Sequence, residues 1–181
     1  MGRRDFLGGD TMINRIADAL IRHGAVEYGH FVLASGATSS YYLDVKSAMT
    51  DPALLGLVCD EIAGRFPSDI VAGVAVGGVP LAVGVSLASN RPYAIIRSGE
   101  KDHGKSGRLI GDVKGRNVLL VEDVTTSGGS ALYGVTALRD AGASINVVVT
   151  VVDREQGATT ALAKDNVTLH ALVKASEITQ E

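Results

Sequence analysis

Glu122 and Asp123 stand side by side at the end of an apolar run, and small hydroxyl and glycine residues follow them. Residues 118–130 read VLLVEDVTTSGGS. An ionised carboxylate only accepts hydrogen bonds, so two adjacent acids can grip a vicinal diol such as that of a ribose. Thr125, Thr126, Ser127, Gly128, Gly129 and Ser130 offer backbone N–H groups and hydroxyls with little bulk, the donor set that a terminal phosphate needs. The run 118–121 suits one buried strand, and Leu132, Val135, Ala137 and Leu138 recur at helical spacing behind the turn. Strand, acidic tip, small-residue turn and helix N-terminus together describe a site for a phosphorylated sugar. The string is neither a Walker A loop nor a G-x-G-x-x-G fingerprint.

Other segments carry complementary chemistry. Gly77 and Gly78, in GGVP at 77–80, would let backbone amides approach a diphosphate closely. The loop RSGEKDHGKSG at 97–107 concentrates Arg97, Lys101, His103 and Lys105 between glycines. Alone it reads as a solvated loop; beside a phosphate site, a cationic Gly-flanked loop can cover an anion and exclude water. Asp153-Arg154 is either a surface pair or the source of a guanidinium for a planar anionic substrate. Tyr41, Tyr42, Asp44 and Lys46 could wall a flat ring, although strand packing explains the tyrosines almost as well. Cys59, the single cysteine, lies in the apolar stretch ALLGLVCDEIAG and reads as a buried small hydrophobe.

The elements that must position these residues follow from periodicity. Asp10 or Thr11 caps a helix to about residue 23, with Ile13, Ile16, Ala17, Leu20 and Ile21 on one face. Short strands are expected at 30–33 and 41–45. A helix opens at Pro52 and runs to about 65, with Leu54, Leu55, Val58 and Ile62 buried. A strand at 69–76, a helix at 81–88 and a strand at 93–97 come next. Residues 98–112, polar and Gly-rich, read as a mobile loop. After the acidic string come a strand at 145–152, a helix near 156–163 and a strand at 167–172. This alternation predicts one α/β domain, a parallel sheet with helices on both faces. Residues 1–10 read as a flexible leader, and about 11–50 as a smaller N-terminal cap.

With 181 residues, 46% apolar and 20% charged, the chain fits one globular domain. A formal net charge of −3 disfavours nucleic acid as the main partner. No run approaches the length of a membrane span. One cysteine rules out a disulfide within the chain and fits a reducing cytoplasm.

Assembled, these strings resemble the type I phosphoribosyltransferases, and among them the orotate phosphoribosyltransferases. VLLVEDVTTSGGS carries the general resemblance. HFVLASGATSSYYLDVK at 30–46, RSGEKDHGKSG at 97–107 and VVDREQG at 151–157 narrow it to the orotate branch, and the match spans residues 12–175. The resemblance implies a central parallel sheet with a small N-terminal hood. It also implies transfer of ribosyl 5-phosphate from 5-phosphoribosyl 1-diphosphate (PRPP) to orotate, giving orotidine 5′-phosphate and diphosphate in pyrimidine biosynthesis. By that resemblance Glu122 and Asp123 hold the ribose diol, and 124–130, with Val124 at its start, binds the 5′-phosphate. Arg97, Lys101 and His103 bind the diphosphate, with Lys101 and Asp123 as the catalytic residues. Thr126 and Arg154 bind orotate. Mg²⁺ arrives on PRPP without a direct protein ligand set, and a homodimer shares its active sites through the 97–107 loop. Three positions depart from the common pattern, with Ala34, Gly77 and Ser98 where family members often carry lysine. The competing readings are a phosphoribosyltransferase for another nucleobase and a PRPP-sensing regulator.

Overall fold

The computed structural model describes residues 8–32, 38–99 and 107–179. Helix α1 (Gly8–Arg22) leads into an antiparallel hairpin of β1 (Val26–Val32) and β2 (Thr38–Leu43), then a one-turn helix α2 (Val45–Ala48). From α3 (Pro52–Arg65) onward, strands and helices alternate. The order is β3 (Ile70–Val74), α4 (Gly78–Ser89), β4 (Tyr93–Ile96), β5 (Leu109–Ile110), β6 (Asn117–Thr125), α5 (Gly129–Asp140), β7 (Ser144–Asp153), α6 (Ala158–Lys164), β8 (Thr168–Lys174) and α7 (Ala175–Ile178).

The six-stranded sheet has the order β5-β4-β3-β6-β7-β8, parallel except where β5 pairs with β4. Along β6 the side chains divide between two cores. Leu119 and Val121 pack with Leu54, Val58, Ile62, Leu81 and Val85 on the α3/α4 face. Val118 and Leu120 pack with Ala131, Val135, Leu138 and Leu162 on the α5/α6 face. Burial on both faces is why the parallel strands read as unbroken apolar runs. Truncating a fully buried residue such as Leu120 should cost about 2–5 kcal/mol.

The expected α/β architecture is present, with differences at the edges. Helix α1 starts at Gly8, inside the segment expected to be a leader, and Ile21 is exposed rather than on the buried face. Strand β1 begins at Val26, before the expected residue 30, because its residues are mostly exposed and show no apolar alternation. Helix α4 begins at Gly78, so Val79 and Pro80 lie in its first turn. The stretch expected to be a mobile loop from 98 to 112 contains β5, an edge strand too short for periodicity to reveal. The short helices α2 and α7 were not anticipated. Asp51 caps α3 by accepting from Ala53 N and Leu54 N, with Pro52 at the first position.

Cys59 is buried, and that burial pushes its thiol up to about 12. It packs as a buried small hydrophobe, as expected. Among the described residues no helix is long and apolar enough to cross a membrane.

Candidate active site

The chain moves outward from β3 through β4 to β5, then returns to place β6 on the other side of β3. In open α/β sheets such a reversal leaves a crevice at the strands' carboxyl ends. Here β3 ends in the turn 75–77, whose Ala75–Val76 peptide is cis, and β6 ends in Glu122–Thr125. The two ends touch. A β-carbon on Gly77 would stand 2.4 Å from the Asp123 carboxyl atoms, so the lack of a side chain at 77 makes room for that carboxylate.

Both acids are buried, Glu122 at 4% and Asp123 at 6% exposure. Ser130 Oγ donates to Glu122 Oε1 at 2.8 Å. Burial pushes the Glu122 carboxyl up to about 7; the Asp123 charge adds to the rise, while the Ser130 bond and Lys46 oppose it. Lys46 Nζ lies 3.8 Å from Asp123 Oδ2, an oxygen that has no hydrogen-bond partner among the described residues. An acceptor held ready in this way suits a hydroxyl-bearing ligand.

Behind the acids, Gly128 turns the chain into α5 with φ 87°, in the left-handed region that glycine adopts freely. A β-carbon there would also come within 3.2 Å of Ala158 Cα. No side chain caps α5, and an uncapped helix N-terminus beside the exposed Ser127 suits an anion. Thr125 is buried and Thr126 exposed.

Two cavities flank this strand end. One of about 250 Å³ is lined by Tyr42, Leu43, Asp44, Val45, Lys46, Asp123, Val124 and Thr126. Another of about 590 Å³ is lined by Tyr41, Arg154, Glu155, Ala175, Ser176, Glu177 and Thr179. Of the hairpin residues singled out as ring walls, Tyr41 lines the larger cavity, and Tyr42, Asp44 and Lys46 line the smaller. Thr126 and Arg154 line different cavities, although Arg154 N donates to Thr125 O at 2.9 Å. Arg154 Nε is buried with no hydrogen-bond partner among the described residues.

Arg97 sits at the end of β4, half-buried, its N–H donating to Arg108 O and its carbonyl accepting from Tyr133 Oη at 2.9 Å. Lys101, His103 and Lys105 lie outside the described residues, as does Ala34. Ser98 is exposed.

Residues 57–174 match the model of the phosphoribosyl transferase domain family. Over 167 residues, 92% of this chain and 99% of the relative, the sequence is 62% identical to an orotate phosphoribosyltransferase of Methanocorpusculum labreanum. The chain belongs to the orotate phosphoribosyltransferase family. Its backbone is also similar to the crystal structure of the orotate phosphoribosyltransferase from Aeropyrum pernix, with a TM-score of 0.80 and 34% identity over 90% of this chain and 95% of that one. A Mycobacterium tuberculosis orotate phosphoribosyltransferase, crystallised with PRPP, matches with a TM-score of 0.76 at 27% identity, covering 92% and 98%. The type I phosphoribosyltransferase fold expected from the acidic string is the fold of this chain.

Within this orotate phosphoribosyltransferase fold, three contacts escaped the sequence reading. Ser130 was noted as a phosphate donor, yet its hydroxyl holds Glu122. Tyr133 ties α5 to the stem of the 97–107 loop, with Arg108 over its ring. Asp153 joins two strand ends. Helical spacing could have placed Tyr133 one turn beyond the small-residue turn, but nothing local names its partner.

Proposed function

We propose that this chain transfers the 5-phosphoribosyl group of PRPP to N1 of orotate, releasing diphosphate and forming orotidine 5′-phosphate for pyrimidine synthesis. The observation that carries the reading is the buried Glu122–Asp123 pair against the uncapped N-terminus of α5, at the strand-order reversal of an orotate phosphoribosyltransferase fold. Glu122 and Asp123 accept from the ribose diol, and residues 124–130 bind the 5′-phosphate. Thr126 and the Arg154 guanidinium take orotate, whose carboxylate matches an arginine. Arg97, Lys101 and His103 take the diphosphate.

Breaking the C1–O bond develops oxocarbenium character on the ribose. No side-chain nucleophile is needed. Catalysis comes from holding the two substrates in line and stabilising the charge that gathers on the departing diphosphate, a role we give chiefly to Lys101. The carboxylate of Asp123 fixes the ribose under the α5 end while this happens.

Mg²⁺ fits the site as an ion carried by substrate. Asp123 Oδ2, which lacks a hydrogen-bond partner among the described residues and faces Lys46 at 3.8 Å, would supply a supporting oxygen, with substrate oxygens and water as the main ligands. Bound so, the ion would neutralise charge on the leaving diphosphate. The family reading carries with it a homodimer sharing its loops and a cytoplasmic setting.

The test is direct. Orotate absorbance should fall when PRPP and Mg²⁺ are added together, and not when either is omitted. Unchanged orotate alongside consumption of a purine or uracil would move the chain to another base; no turnover of any base would leave only PRPP binding.

A further inference from the structure

Asp153 is 7% exposed and lies directly across from Thr125 in the β6/β7 register. One of its oxygens, Oδ1, accepts twice: from Glu155 N at 3.0 Å and from Thr125 Oγ1 at 3.3 Å. These bonds bracket Arg154, whose own N–H donates to Thr125 O. Glu155 has φ 58°, a left-handed conformation that a glutamate does not favour. Its N–H is held by Asp153, and its side-chain Oε2 accepts from Ser176 N at 3.1 Å. The turn that sends the Arg154 side chain to the 590 Å³ cavity is thus pinned on both sides of its strained residue.

We infer that Asp153 is a positioning residue for the acceptor base: it holds the 153–155 turn so that Arg154 presents its guanidinium to the cavity. This rests on the reading that Arg154 binds the orotate carboxylate. Asp153 lines neither of the two cavities. Its bond to Glu155 is the shorter of the two, and the bond to Thr125 reaches a residue whose backbone is already in the β6/β7 ladder. Losing Asp153 should therefore release the Arg154 turn more than the phosphate loop.

The experiment uses the full-length protein, with wild type first shown to convert orotate; failure at that step would count against the functional reading and not against Asp153. Asp153→Ala should raise KM for orotate at least tenfold, change kcat less, and leave KM for PRPP within threefold. Asp153→Asn keeps an acceptor oxygen in place and should return orotate KM to within threefold of wild type. If Asp153→Ala gives no cooperative melt, Asp153→Leu serves instead, since it fills the same buried space without an acceptor for the Glu155 N–H and should show the same orotate-selective loss. Unchanged orotate KM, or an equal rise for both substrates, would overturn the assignment.

Discussion

The Asp123 carboxylate occupies the space where a side chain on Gly77 would begin, 2.4 Å from the position of its β-carbon. The backbone at Gly77 is helical, φ −63° and ψ −37°, which alanine adopts without strain. The new β-carbon nevertheless meets a short, buried carboxylate, so Gly77→Ala should lower the melting temperature. It should displace the Asp123 carboxylate and lower kcat/KM for PRPP at least tenfold, about 1.4 kcal/mol of transition-state stabilisation. A variant that melts earlier and keeps full activity would show that the contact matters only to packing.

Glu122 gives a pH signature with a definite sign. Its folded-state carboxyl titrates near 7 against an ordinary value of 4.5, raised first by burial. The folded protein thus holds a proton that the unfolded chain releases between pH 4.5 and 7. Stability from this group is greatest below 4.5 and is lost as pH rises through 7, on the order of 3 kcal/mol in all. Glu122→Gln should therefore gain stability over wild type at pH 8, with the difference vanishing near pH 4, measured as paired thermal melts. Ligand binding runs the other way: KM for PRPP should rise in wild type as pH falls below 7, because a protonated Glu122 is a poorer acceptor for the diol. A flat difference between the melts would place the charge elsewhere.

How much of this was readable in advance depended on how local the cause is. β6 and its turn were readable because an unbroken apolar run, two acids and a string of small residues are consecutive. Strand β7 was readable for the same reason: burial on both faces leaves VVVTVV without polar alternation. The hairpin was misplaced by several residues because Glu27, Tyr28 and His30 are exposed, and no core imposes a period of two. Helix α1 started early because a pair of glycines at 8 and 9 argues against helix by propensity alone. The site contacts were the least accessible. Gly77 against Asp123, Ser130 on Glu122 and Tyr133 on the Arg97 carbonyl each join residues that only the sheet order or a helix turn brings together.

Lys101 separates binding from chemistry. If it acts mainly on the departing diphosphate, Lys101→Ala should lower kcat a hundredfold or more, about 2.7 kcal/mol, while KM for orotate changes little. Single-turnover kinetics with enzyme in excess would locate the loss in the chemical step. An unaltered kcat with a raised KM for PRPP would reduce Lys101 to ground-state binding.

Arg154 tests the acceptor side through discrimination rather than rate. Its Nε is buried and without a hydrogen-bond partner among the described residues, so the guanidinium has donors to give to a ligand. Orotate and uracil differ by one carboxylate, and a charge-assisted bond to that group is what a fork of N–H donors provides. Arg154→Ala should raise KM for orotate about a hundredfold, near 2.7 kcal/mol, and leave uracil use where it was, collapsing the preference between them. Arg154→Lys keeps the charge and loses the two-pronged geometry, so it should fall between wild type and alanine. PRPP affinity, read by a binding titration without orotate, should stay within twofold in both variants, since residues 122–130 are untouched. Equal loss of PRPP and orotate would mean that the substitution disturbs the β6–β7 strand ends as a whole; a retained preference for orotate over uracil would mean that another cation reads the carboxylate.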